Sequence, residues 1–467
     1  MSGYPYIDDL ARQARDRPEA AALVLPDREV TWQALDQAAN DHARKCSGTR
    51  ASDGGDPAFG LPLVPGEEAV VALHALPRIG RYLVPLDARH PLDSAGAHLD
   101  HPDLTASGPN VVWVEPRPDS IRTGMLTSGS SGEPRQVPLT FANHRAASEA
   151  ARQLFELTPE DRWLACLPFH HIGGLSVFTR SAHVGFPAVL SWPFDAAAVT
   201  DAVERHRATA ISLVPTMLRR LLDADWKPPA SLRFALLGGA ACPPGLQREA
   251  LDRGVPIAPT FGMTETCSQI CTLLPREVDA HLGTVGRSIP GATLKIRDAD
   301  DGSLPNGQVG RIWVMGPMVA RSPEMENSLD GEGGPWLKTS DLGSLDNDGF
   351  LTVVGRADDM ILTGGENVAP SEIEQLLVLR NDVAEAAVVG IGDPEWGERI
   401  VAAVVPGAGR SPDAEVLSAY LSDHLDAFKV PKSIAILDEL PLIGPGKVDR
   451  DMLQQLLSVN PAGAGDR

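Results

Sequence analysis

The residues best equipped for chemistry begin at Leu126-Thr127-Ser128-Gly129-Ser130-Ser131-Gly132-Glu133-Pro134-Arg135-Gln136. A short apolar run passes into hydroxyls and glycines, then a proline and a cation. Glycines let successive backbone N–H groups face one concavity, and the hydroxyls add donors for phosphate oxygens. The stretch lacks G-x4-G-K-[ST], which excludes the common NTPase P-loop. Alone, it also fits an ordinary Ser/Gly turn. Downstream come Phe261-Gly262-Met263-Thr264-Glu265, Thr339-Ser340-Asp341, Gly355-Arg356-Ala357-Asp358-Asp359-Met360-Ile361 and Gly364-Gly365-Glu366-Asn367-Val368. Near the end stands Pro441-Leu442-Ile443-Gly444-Pro445-Gly446-Lys447-Val448-Asp449-Arg450. Each is weak singly; their order and separations together are not a coincidence.

These groups need a scaffold that brings distant stretches to one place. From about 64 to 270, apolar strand-like runs alternate with helix-periodic stretches, the pattern of α/β layers. One unit is the run 209–214, then Pro215 and a helix over 216–222; another is 234–237, running straight into Gly238-Gly239. From about 283 to 356, short runs at 293–296, 311–314 and 350–354 are divided by Asp300-Asp301-Gly302 and Asn347-Asp348-Gly349, which predicts β-hairpins. After Arg356 the pattern predicts a compact α+β unit: helix 371–379, strands 385–389 and 400–405, helix 413–425. The boundary falls at Ala357-Asp358, giving domains 1–357 and 358–467. Residues 47–57 read as a polar surface loop, and the tail after Leu457 as frayed.

Over 31–453 the chain resembles the AMP-forming acyl- and aryl-CoA synthetases, relatives of luciferases and of peptide-synthetase adenylation domains. The resemblance implies an α/β fold: a large N-terminal domain of two α/β sheets plus a distorted β-barrel, and a small mobile α+β C-terminal domain. It implies ATP, Mg2+ and coenzyme A as co-substrates and cofactors. Thr127, Ser128, Gly129, Ser130, Ser131 and Gly132, with Arg135, would grip the β- and γ-phosphates. Gly238, Gly239 and Ala240, with Thr260, Phe261 and Gly262, would form the adenine shelf. Thr264 would touch the α-phosphate and Glu265 would help hold Mg2+. Asp341, assisted by Arg356, would accept both ribose hydroxyls, as a carboxylate can take two O–H donors at once. Lys447 would bridge the substrate carboxylate and the α-phosphate, and Asp358 would be the hinge. Two departures stand out. Arg135-Gln136 replaces the usual Lys-Gly, keeping charge while making the loop either stiffer or differently closed, and Ile443-Gly444-Pro445 precedes the last Gly-Lys pair. Neither removes an obligatory group.

The segment Leu167-Pro168-Phe169-His170-His171-Ile172-Gly173-Gly174 bears on the acid. Amino-acid-activating domains place an aspartate near here for the substrate ammonium, whereas this chain has two histidines, as acyl- and aryl-CoA ligases do. His171 would be the aromatic gate between acid and thiol, the alternative being a core histidine. The stretches 171–177, 212–218 and 261–269 are similar to the o-succinylbenzoate–CoA ligases of menaquinone biosynthesis. A dicarboxylate of that kind needs a cation or hydroxyl donors for its spectator carboxylate. Arg180, Thr266, Ser268 and Gln269 are the candidates, although Arg180 also reads as a surface residue. Other fatty- or aryl-CoA ligases, a stand-alone amino-acid adenylation enzyme and a non-catalytic nucleotide-binding module stay open as alternatives.

Composition sets the outer limits. Net charge is −21, from 62 Asp and Glu against 41 Lys and Arg, so nucleic acid is not an expected partner. No apolar run reaches about 18 residues, and the N-terminus lacks a secretory pattern, so neither membrane insertion nor export is expected. Five cysteines, Cys46, Cys166, Cys242, Cys267 and Cys271, fit reduced thiols in a cytoplasmic protein rather than a disulfide framework or a zinc site. The acidic, lysine-poor composition suits a salt-rich cytoplasm or a GC-rich genome equally. A small-molecule carboxylic acid is the expected partner, and a homo-oligomer is left open.

Lys447→Ala is predicted to slow adenylate formation about 10²–10³-fold, the scale for one transition-state charge partner. Thioester formation from presynthesised adenylate should suffer much less. Equal losses in the two half-reactions would remove Lys447 from this role.

Overall fold

The computed structural model describes residues 8–46, 58–87, 113–128, 134–321, 325–327, 335–380, 382–407, 409–443 and 447–459. The α/β run builds a nine-stranded mixed sheet. At its centre Ala188–Leu190, Trp163–Ala165, Ala210–Leu213, Phe234–Leu237 and Ile257–Met263 lie side by side and parallel. Parallel strands joined by helical crossovers must be covered on both faces, which explains why the first four are wholly buried and, apart from Ser212, apolar. Helices Ala196–Arg205, Pro215–Asp223 and Pro244–Asp252 contribute Val199, Leu218, Leu221 and Leu246 to one core. Helices Phe141–Phe155 and Ile172–Val184 contribute Phe155, Leu175 and Phe178 to another. Phe155 stacks on Phe234 with centroids 3.9 Å apart, and Trp163 meets Phe234 edge-on at 5.2 Å. Such aromatic contacts add specificity of geometry to plain apolar burial.

A second sheet has Ala58–Pro62, Tyr82–Leu86 and Ile121–Ser128 parallel, then Pro134–Thr140 antiparallel to the last of these. The two ends of the predicted phosphate loop therefore lie on paired antiparallel strands, with Thr127 opposite Arg135 and Leu126 opposite Gln136. Thr140 caps the next helix: its hydroxyl accepts from the Asn143 N–H at 3.2 Å, while Asn143 Oδ1 accepts from the Thr140 N–H at 2.9 Å.

The expected barrel region forms an antiparallel sheet of Thr293–Arg297, Gly310–Met315, Pro335–Leu345 and Met325–Asn327, with Leu351–Arg356 also on Pro335–Leu345. Phe350, expected in the last strand, lies outside it. Its ring stacks on His281 at 3.6 Å with the Arg287 guanidinium 4.1 Å from its centroid. The C-terminal unit is a five-stranded sheet of Glu366–Val368, Ile361–Thr363, Gly397–Pro406, Val383–Asp393 and Ser433–Ile436. Helices Pro370–Val378, Ala414–Ser422 and Arg450–Val459 accompany it. Its two long strands exceed the expected 385–389 and 400–405 because one hairpin pairs Val383–Asp393 with Gly397–Pro406 throughout. Asp393 closes the turn by accepting from the Glu395 and Trp396 N–H groups at 2.9 and 3.1 Å. Helix Ala414–Ser422 is shorter than 413–425, with Asp413 as its cap. No described helix is long and apolar enough to cross a membrane. Among the described cysteines all five are free thiols, four of them buried.

Strand Ile257–Met263 turns back into Ser268–Thr272 so tightly that a Cβ on Gly262 would overlap the Ser268 carbonyl and the Gln269 backbone. Gly262→Ala should cost about 1–3 kcal/mol, as over-packing against backbone does. Denaturant unfolding checks this, and an unchanged midpoint would contradict it.

Candidate active site

Ligand crevices in α/β sheets form where parallel strands end and the chain leaves for the next element. Gly238-Gly239-Ala240 leave the end of Phe234–Leu237, and Thr260, Phe261 and Gly262 lie in the neighbouring strand Ile257–Met263. Leu237 pairs with Pro259, so Gly238 sits beside Thr260, and a Cβ there would press to 2.7 Å from Thr260 Cγ2. Gly239 takes φ +82°, a conformation that favours glycine. The two stretches thus make one bare ledge. The Thr260 hydroxyl donates to the Cys271 carbonyl at 2.6 Å, which ties down the ledge's second strand.

Beyond the ledge, Thr264 and Glu265 occupy a 3-10 turn, Thr264–Thr266. The Glu265 carbonyl accepts from the Ala320 N–H at 2.7 Å. Asn143, at the start of the helix behind the phosphate hairpin, donates to the Pro317 and Val319 carbonyls at 3.0 Å each. The hairpin expected to hold phosphate, the 317–320 segment and Glu265 are therefore mechanically joined. Within the hairpin, Thr127 Oγ1 donates to the Arg135 carbonyl at 3.2 Å. Gln136 is a strand residue that packs over Gly124, and its Nε2 donates to the Tyr82 hydroxyl at 2.9 Å. The stiffening expected of Gln136 thus has a definite form, a stitch to the adjoining strand. Gly129, Ser130, Ser131 and Gly132 lie outside the described residues, as does the Lys447 side chain. The Lys447 backbone pairs with Ile443 in a two-stranded hairpin.

Asp341 stands on strand Pro335–Leu345 directly opposite Arg356. Its N–H donates to Thr339 Oγ1 at 3.1 Å. Burial raises the Asp341 carboxyl from an ordinary 3.8 to about 6; the Arg356 charge opposes this, while Asp359, Glu265 and Asp358 add to it. Arg356 is shared, because its Nη2 donates to Asp358 Oδ2 at 3.2 Å. Asp358 itself lies exposed in the 3-10 turn Ala357–Asp359. Among the described residues no group of three or more His, Cys, Asp or Glu could hold a metal. A lone carboxylate such as Glu265 fits Mg2+, which takes most of its ligands from phosphates and water.

The residues expected to meet the acid gather around helix Ile172–Val184. His171 is its N-cap residue, its ring 4.3 Å from that of His170, and His170 Nε2 lies 3.7 Å from Asp87 Oδ2. Half-buried His171 is not a core histidine. Arg180, two turns on, is no surface residue: it is 1% exposed, with its guanidinium 5.2 Å from the centre of the Trp163 ring. Nη2 donates to Ser268 Oγ at 3.2 Å, while Nε and Nη1 have no hydrogen-bond partner among the described residues. Burial lowers its pKa only to about 10, so it stays charged at neutral pH. A buried cation with two idle donors fits an anionic ligand. Thr266, by contrast, accepts from the Met263 N–H at 2.9 Å and donates to the Ser268 carbonyl at 2.7 Å, which leaves no proton for a ligand. Gln269 donates one Nε2 proton to Thr272 Oγ1 at 3.0 Å and leaves Oε1 unpartnered among the described residues, so its second Nε2 proton is the donor left for a carboxylate.

Residues 100–322 match the AMP-binding enzyme family, and residues 372–447 match the AMP-binding enzyme C-terminal domain. The chain belongs to the AMP-binding enzymes, the adenylate-forming class that this fold defines. Within it, the chain is 35% identical over 475 residues to the 2-succinylbenzoate–CoA ligase of Bacillus pumilus, covering 95% of this chain and 97% of that one. It superposes on the o-succinylbenzoate CoA synthetase of Bacillus subtilis in complex with the acyl-adenylate intermediate OSB-AMP with a TM-score of 0.87 at 32% identity, covering 97% of this chain and 99% of that one. The same Bacillus subtilis enzyme in complex with ATP and magnesium ion superposes with a TM-score of 0.85 at 32% identity, over 96% and 99% of the two chains.

A raised carboxyl holds its proton more tightly folded than unfolded, so Asp341 favours the folded state most at acid pH, a contribution lost as pH climbs from 3.8 towards about 6. Only the ionised form accepts two hydroxyls. Nucleotide affinity should therefore fall below about pH 6, approaching tenfold per unit, and Asp341→Asn should flatten that profile. Calorimetric titration of ATP between pH 5 and 8 checks it (a working range of about three units), and an unchanged slope in the variant would exclude Asp341.

Proposed function

We propose that the chain activates o-succinylbenzoate with ATP, forming the acyl-adenylate and pyrophosphate, and then transfers the acyl group to coenzyme A with release of AMP. This is a step of menaquinone biosynthesis. The observation that carries the choice of acid is Arg180, buried and charged beside Ser268, with Nε and Nη1 unpartnered among the described residues.

In this reading the ring carboxylate takes the idle guanidinium donors, in the two-donor arrangement that suits arginine. The Ser268 hydroxyl, already accepting from Arg180, turns its own proton to the same anion. The succinyl carboxylate then lies towards His171 and Thr264, where it attacks the α-phosphorus and pyrophosphate departs. Adenine lies on the ledge of 238–240 and 260–262, and the ribose hydroxyls donate to Asp341. Thr127, Ser128 and Arg135 hold the outgoing phosphates together with residues 129–132. Glu265 would hold Mg2+, which neutralises phosphate charge when bound. Lys447 stabilises the charge shared by carboxylate and α-phosphate, and His171 gates the thiol. Residues 1–357 form the domain that binds acid and nucleotide. Residues 358–467 form a domain that swings about Asp358 between the two half-reactions. Cytoplasmic action without a nucleic-acid partner completes the reading.

The test is CoA-dependent AMP release across a panel of carboxylic acids. Removing the ring carboxylate leaves a buried cation unpaired, at about 1–3 kcal/mol. 4-Oxo-4-phenylbutanoate should accordingly react about 10–100-fold less efficiently than o-succinylbenzoate, and Arg180→Ala should compress that preference to a few-fold. A long-chain or plain benzoic acid outperforming o-succinylbenzoate would overturn the choice of acid.

A further inference from the structure

Ser268 reaches Arg180 from a backbone that resists being there. Cys267 takes φ +53° and Ser268 φ +99°, two consecutive non-glycine residues in the left-handed region. Such a conformation persists only where surrounding groups over-determine it. The Thr266 hydroxyl supplies one restraint, through the Ser268 carbonyl. A second comes from outside the turn. His144, on helix Phe141–Phe155, has its Nδ1 3.4 Å from Cys267 Sγ and its Nε2 2.9 Å from Thr123 Oγ1. Thr123 is in strand Ile121–Ser128, which runs on to Thr127 and Ser128. His144 and Cys267 are each 1% exposed, and Thr123 is fully buried. One imidazole therefore joins the strand that carries the phosphate arm to the turn that carries Ser268.

We propose that His144 is a positioning residue: through Cys267 it fixes the left-handed turn that presents Ser268 to Arg180, and so sets discrimination for the second carboxylate of the acid. The inference rests on the reading of Arg180 as that carboxylate's partner. His144 is suited to the task because it stays uncharged. Burial, then the Arg122 and Arg180 charges, push its pKa well below the usual histidine range. A neutral ring has one donor and one acceptor nitrogen, and a hydroxyl and a thiol satisfy either tautomer. No proton is transferred, so the role is purely geometric.

His144→Phe preserves ring volume and removes both polar contacts. It should raise the KM for o-succinylbenzoate roughly 5–30-fold, corresponding to losing one or two hydrogen bonds, and compress its preference over 4-oxo-4-phenylbutanoate by the same factor. The KM for the monocarboxylate should stay within about twofold, which a general loss of stability would not spare. His144→Asn puts a polar atom where Nδ1 stood and should restore most of the preference. Cys267→Ala, which leaves His144 intact, should reproduce the defect and keeps the test open if the phenylalanine variant does not fold. A wild-type enzyme without preference between the two acids would overturn the reading of Arg180 and this inference together. A wild-type preference that Arg180→Ala abolishes but folded His144→Phe or Cys267→Ala leaves intact would overturn this inference alone.

Discussion

Much of the site hangs on one tight reversal, the return of strand Ile257–Met263 into Ser268–Thr272. The parallel series ends there, and the outgoing chain pairs with the incoming one at Thr260, Phe261, Gly262 and Met263, with a register shift between Phe261 and Gly262. Only a residue without a Cβ fits at 262. The Thr266 hydroxyl spans the neck of the turn from Met263 to Ser268. A single turn thereby fixes the ledge, Glu265 and the hydroxyl that meets Arg180, so their mutual distances cannot drift independently.

Charge is distributed against the grain of the whole molecule. The chain carries a net −21, yet Arg180 is buried with no carboxylate paired to it among the described residues, while Asp341 lies within the influence of Glu265, Asp358 and Asp359. The two regions are poised oppositely: among the described residues one lacks an anion, and the other holds carboxylates that repel one another. The proposed acid would supply the first with its second carboxylate, and the proposed ribose and Mg2+ would relieve the second.

The layering of the fold was legible because parallel strands buried on both faces leave apolar runs, as at 234–237 and, interrupted only by Ser212, at 210–213. Ledge, turn and Asp341 were legible as ordered motifs. What escaped was set by contacts between distant stretches. Arg180 could be read as a surface cation, since nothing local tells which face of a mostly apolar helix meets Trp163. Thr266 looks like a ligand donor until its hydroxyl is seen to be consumed within its own turn. His144 carries no local signal beyond lying next to the capping residue Asn143, because its partners are 21 residues before and 123 residues after it. Gln136 looked like a stiffer replacement for glycine, and the hydroxyl that holds it belongs to Tyr82, 54 residues earlier.

The packing of Arg180 on Trp163 has an optical corollary. A cation held 5.2 Å from the centre of an indole ring imposes a steady electric field on that ring's transitions. Trp163 is itself immobilised, with its Nε1 donating to Ser212 Oγ at 3.0 Å, so little motion averages the field away. An anion arriving at the guanidinium cancels part of the field and moves the absorption and emission of this one chromophore. In the proposed binding mode, Trp163 is the chromophore whose spectrum would report the arrival of the acid's second carboxylate at Arg180.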